Sequence, residues 1–115
     1  MTRVVSLIDS ALTHIPFRSE DEVAKFLKPL DVSDQCALIT AMYVGRDHIH
    51  DSKLNDDVLS LKSFNRYHVT GDETYWFIHP VEFARILYEK NSNLSDYFSA
   101  FLRCAEGSEV SLNNF

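Results

Sequence analysis

The stretch Cys36–Val44, reading CALITAMYV, constrains this chain more than any other segment, because only Thr40 in it is strongly polar. A helix that is apolar nearly all round must be covered on several sides, so this segment forms a central element. Ala37, Leu38, Ala41 and Met42 favour helix there over a buried strand. Gly45 then reads as the residue just past the helix C-terminus, and Arg46 suits the negative end of the helix dipole. The rest of the chain must supply elements that each turn one apolar face toward this centre.

Those elements are visible as periodic stripes. Val4, Ile8, Ala11, Leu12 and Ile15 share one helical face over roughly residues 3–14, and Pro16 ends that helix. Ser19 and Glu22 have capping-box spacing, and three acidic residues fill the first turn of a short helix that buries Val23, Phe26 and Leu27. Pro29 closes it. Asp31 or Ser33 caps the central helix. Asn55 caps a further helix that lines up Leu54, Val58, Leu61, Phe64 and His68, and TGDE reads as a turn. YWFI is a short extended piece or one more helical turn, and Pro80 opens the next helix at its first position. Asn91–Asn93 break the chain. Leu94, Tyr97, Phe98, Phe101, Leu102 and Ala105 then make one broad face, capped by Asn93 and closed by Gly107. The expected fold is all-α: a single compact, bundle-like domain of five to six short helices spanning residues 1–115. Its core lies at about 3–106, with 107–115 as a frayed tail. A length of 115 residues and 45% apolar composition suit one domain with a sizeable core. Three glycines and three prolines are too few for a sandwich or barrel rich in tight turns.

Charge and cysteines narrow the function. A net charge of −6 without a visible basic face argues against nucleic acid and against an anionic membrane surface. Cys36 and Cys104 lie in apolar helical patterns with no CxxC and no ligand spacing, which reads as core packing in a reduced, cytoplasmic setting. The first fifteen residues hold no apolar run long enough for a signal core or a membrane span.

Two stretches carry candidate chemistry. GRDHIHD, Gly45–Asp51, packs two histidines and two aspartates into seven residues. Asp47, His48 and His50 could hold a metal, but histidines two apart diverge on a helix and would need His68, His79 or a distant acidic residue as a further ligand. A polar turn at a helix end is the favoured reading. The second stretch is YWFIHP. Tyr75, Trp76, Phe77 and His79 fall within five residues as a candidate partner-binding hot spot, with Tyr97 further on, since Trp and Tyr dominate interface energetics. Against that stands core packing of Trp76 or Phe77 beside Tyr43 and Phe83. No nucleophile elbow, phosphate loop or dinucleotide fingerprint occurs.

The run EVAKFLKPLDVSDQCALITAMYVGRD resembles a bacterial family of small helical proteins, the domain of unknown function numbered thirty-seven seventy-five. The resemblance rests on Asp34-Gln35, on Ala37 to Val44 and on Gly45-Arg46-Asp47. ARILYEKNSNLSDYFSAFL is similar to that family's closing segment, and VVSLIDSALTH is compatible with its first helix. Ser52–Phe77 is not matched, and Gly-Arg-Asp stands where the family has a Gly-Arg-Gly-Asp-like step. The resemblance implies an all-helical fold and a bacterial cytoplasmic setting, with no established activity. The sequence thus leads to a small acidic non-enzymatic module, of adaptor, regulatory or immunity type. It would bind another protein or a second copy of itself, and no cofactor, nucleic acid or membrane. The alternative is a metal- or small-molecule-binding protein, an enzyme included, built on the Gly45–Asp51 loop.

Overall fold

A computed structural model describes residues 3–60, 64–113 and 115. The described residues form a mainly α fold of six α-helices and one two-stranded hairpin. The helices are α1 (Arg3–Leu12), α2 (Glu20–Leu27), α3 (Val32–Asp47), α4 (Asp56–Ser60), α5 (Phe83–Glu89) and α6 (Leu94–Gly107). Strands β1 (Gly71–Asp72) and β2 (Tyr75–Trp76) pair antiparallel, with Gly71 opposite Trp76 and Asp72 opposite Tyr75. No described helix is long and apolar enough to cross a membrane.

Helix α3 is the centre. Every residue from Cys36 to Met42 is buried, Thr40 included, and the Thr40 hydroxyl donates to the Arg66 carbonyl at 2.7 Å. Its broadest packing is against α6, with α1 and α5 on other sides, while α2 packs on α5. One apolar cluster runs through all of these elements.

Helix α1 departs from the expected stripe. Val4, Leu7, Ile8 and Ala11 are buried, whereas Leu12 is exposed. The seam therefore passes through Leu7. The helix also stops short of Pro16, because the Thr13 and His14 amides turn back three residues to the Ser10 and Ala11 carbonyls. Helix α2 starts where expected, with the Ser19 hydroxyl accepting the Glu22 amide at 3.1 Å. Neither Asp31 nor Asn93 makes a side-chain cap bond.

Gly45 is not a residue past the helix end. It lies inside α3, where a Cβ would come within 1.8 Å of the Tyr97 carbonyl oxygen. It is the point where α3 and α6 cross, and the bare Cα lets the two backbones touch. Gly107 plays a similar part at the end of α6, where a Cβ would fall 2.0 Å from the Ser52 carbonyl oxygen.

The middle of the chain is less helical than its apolar spacing suggests. Asn55 caps α4 as expected, its side-chain oxygen accepting the Val58 amide at 2.9 Å. Leu54 and Val58 are buried; Leu61 lies outside the described residues. Arg66–Thr70 form turns, so Phe64 and His68 share no helix. Asn65 explains this locally, because its side chain takes the Tyr67 amide at 2.8 Å and replaces a helical bond. TGDE is likewise not a bare turn: Gly71 and Asp72 form β1.

The frayed tail is also corrected. Phe115 is buried, with its ring centroid 4.9 Å from that of Phe101 and 5.1 Å from that of Phe64. Arg66 donates to the Phe115 carbonyl at 2.9 Å. Phe115, with half-buried Val110 and Leu112 packing beside the core, thus carries the segment after α6 back to it.

Candidate interaction surface

The Gly45–Asp51 segment is built as a structural joint. His48 is buried. Its Nδ1 lies 2.7 Å from the Val44 carbonyl, and its Nε2 lies 3.0 Å from the Asn55 amide. Only a neutral ring with its proton on Nδ1 satisfies both: Nδ1–H donates to Val44 and Nε2 accepts from Asn55. The ring therefore ties the end of α3 to the start of α4, and both nitrogens are in use. Helix α6 holds the loop backbone. Arg103 donates to the carbonyls of His48, Ile49 and Asp51, and the Cys104 thiol lies 3.3 Å from the Asp51 carbonyl. Burial pushes both the Cys36 and the Cys104 thiols up from their ordinary range. Asp47 faces solvent beside Arg46, and His50 is exposed as well. Among the described residues no group of three or more His, Cys, Asp or Glu side chains is placed to hold a metal ion.

The second candidate stretch is arranged very differently. Strand alternation turns Trp76 inward against the core and Tyr75 and Phe77 outward. Both outward rings are 69% exposed, and they meet edge to face at 5.5 Å. Val81 follows at 76% exposed. Between them, exposed His79 caps the turn at Pro80–Glu82, its Nδ1 accepting the Val81 amide at 3.2 Å. His79 is thus a helix-start residue at the margin of this surface. Tyr97 is half-buried at the α3–α6 crossing and packs against the core, so it supports the fold there.

The hairpin that presents the aromatics is firmly held. Buried Thr70 accepts the amides of both Phe77 and Ile78 at its carbonyl, at 2.9 and 3.2 Å. The Gly71 amide donates to the Tyr67 carbonyl. Gly71 adopts φ +73°, and a Cβ there would lie 2.3 Å from the Tyr75 carbonyl oxygen, so glycine is required. Asp72 accepts the Thr74 amide at 2.9 Å and fixes the turn. A cleft of about 360 Å³ opens between α3 and the hairpin, lined by Val32, Tyr67, Asp72, Glu73 and Trp76. A second, of about 310 Å³, lies against Tyr67, His68, Tyr75 and Phe77. Tyr67 and Asp72 line both.

Sequence reading picked out Tyr75, Trp76, Phe77 and His79 but left out Tyr67, Asp72, Glu73 and Val81, and it did not decide whether Trp76 or Phe77 turns inward. The available signal was a Gly-containing polar turn between aromatic residues, which is hairpin chemistry.

No family model, curated protein or solved structure matches the chain. The family resemblance therefore stands on the quoted residues alone.

Proposed function

We propose that this protein is a non-enzymatic interaction module that docks a partner protein through the Tyr75–Val81 surface. One observation carries the reading. Tyr75 and Phe77, each 69% exposed, stand side by side on a hairpin whose backbone is anchored at Thr70, Gly71 and Asp72. Exposing large rings forgoes roughly 1.5–3 kcal/mol apiece in burial, which an interface recovers. The rigid mount keeps the ordering cost of binding low. Such a pair beside clefts has the composition of an interface centre. Both thiols are unbridged and buried, which supports a cytoplasmic setting.

The test compares wild type with a Tyr75→Ser/Phe77→Ser variant as baits in native cell extract, after sedimentation has established whether either self-associates. Both rings face solvent, so the variant should melt within a few degrees of wild type. The expected outcome is a bound protein, or a second copy, recovered by wild type and lost by about tenfold or more in the variant. Identical partner sets for two equally folded baits would remove the assignment.

A further inference from the structure

We infer that the cleft between α3 and the hairpin receives an arginine side chain of the partner protein. The inference rests on the docking reading and specifies the partner's chemistry at the same surface. Tyr67 and Trp76 supply aromatic walls, and the 40%-exposed Val32 adds apolar surface. Asp72 and Glu73 stand exposed at the edge. Among the described residues no Lys, Arg or His lies within ion-pair distance of either carboxylate. One oxygen of Asp72 accepts the Thr74 amide; the carboxylate keeps acceptor capacity for a further donor.

The positive features nearby are already answered. Arg66 reaches the Ser33 hydroxyl on the cleft wall, but it is committed to Asp34 at 2.8 Å and to the Phe115 carbonyl. The first turn of α3 also borders the cleft, and Asp31 stands at its positive pole. The chain as a whole carries −6. An anionic occupant would meet two carboxylates in a negative field. A neutral apolar one would leave them desolvated without a partner. A planar guanidinium satisfies both requirements, because it stacks on aromatic faces and forks onto a carboxylate.

Trp76 is the chain's single tryptophan and lines this cleft, so its fluorescence reports occupancy directly. The probe is the capped peptide Gly-Arg-Gly at low salt, against the same peptide carrying neutral citrulline, lysine or glutamate. The arginine peptide should give a saturable change with a dissociation constant on the order of millimolar. The Asp72→Asn/Glu73→Gln variant should weaken it about tenfold, as loss of a charge-assisted pair requires. Asp72→Asn keeps an oxygen for the Thr74 amide, and Glu73→Gln alone provides a second variant should the double one unfold. Lysine should bind more weakly than arginine.

The inference is overturned if the arginine peptide gives no saturation, if citrulline matches it, or if the glutamate peptide binds better. These outcomes separate from the docking test. Capture that depends on Tyr75 and Phe77 without peptide binding sinks only the arginine assignment. Peptide binding with unchanged capture by the Tyr75→Ser/Phe77→Ser variant sinks the docking assignment and leaves the cleft chemistry standing.

Discussion

Asp34 shows how much a single side chain can organise. It is buried at the start of α3, and its two oxygens face different arginines. Arg3 donates to Oδ2 at 2.6 and 3.2 Å, and Arg66 donates to Oδ1 at 2.8 Å. The hydrogen bond from Arg3, with that from Arg66 and both positive charges, holds the carboxyl below its ordinary range against the opposing effect of burial. The native state therefore binds fewer protons than the unfolded chain. Its contribution is fully present above the ordinary carboxylate value of about 3.9 and disappears as pH falls through the lower native value. Asp34→Asn should cost about 2–3 kcal/mol at neutral pH. Most of that belongs to Arg66, because Arg3 is 61% exposed and its pair is screened by solvent. Urea unfolding at pH 7 and pH 3 measures it: the gap between wild type and the variant should narrow at the lower pH. A constant gap would mean that the carboxylate charge is not what stabilises the site. His48 teaches the complementary lesson about legibility. Residue type and spacing raised it as a ligand, but spacing cannot show that its ring turns inward to meet an amide seven residues on. Cys36 and Cys104 were readable as core because their neighbours are apolar, whereas an acidic residue such as Asp34 gives no sign of burial until its arginines are placed.

Among the elements, α3 was the most legible. A helix apolar on all sides has one destination, and its burial from Cys36 to Met42 follows. Ser19, Asn55 and His79 also act locally as their positions suggest, because a cap needs only neighbours in sequence. The α3–α6 crossing was not legible. Gly45 closely followed by a basic residue looks like a helix end, and only the approach of α6 reveals its use. The crossing reverses an ordinary rule. In an exposed helix interior, Gly→Ala stabilises by about 1 kcal/mol. At position 45 the new methyl would lie 1.8 Å from the Tyr97 carbonyl oxygen, which is backbone and cannot rotate away. The two central helices would have to separate, and Gly45→Ala should destabilise by about 3 kcal/mol. Ser99→Ala, at an exposed position of α6, should stay within about 0.5 kcal/mol and serves as the control. Chemical denaturation of the two variants decides the matter, and a more stable Gly45→Ala protein would rule out close contact between α3 and α6. The Arg66–Thr70 turns were hidden for a related reason. Their apolar spacing fits a helix, but Asn65 offers the backbone a competing local bond.

At the scale of the whole molecule, all-helical character and one shared core were readable from apolar periodicity and the scarcity of glycine and proline. The fate of the segment after α6 was not. SEVSLNN is polar and reads as loose chain, yet Phe115 beyond it closes the core against Phe64 and Phe101. The same region gathers distant parts of the sequence: Arg3 from α1, Asp34 from α3, and Arg66, which also holds the Phe115 carbonyl. One apolar cluster extends from Val4 to Phe115. These links make Phe115 a global stability residue. Phe115→Ala should cost about 3–4 kcal/mol, the ordinary penalty for emptying a buried aromatic site. Because the cluster is continuous, the loss should appear as one cooperative transition displaced to lower denaturant, with its slope unchanged. Far-ultraviolet dichroism and Trp76 fluorescence should follow the same curve, since the tryptophan packs on that cluster too. A change below about 0.5 kcal/mol would return the segment to a frayed tail. Two separated transitions would instead divide the molecule into parts that unfold independently, and the hairpin surface would then have to be tested as a unit with its own stability.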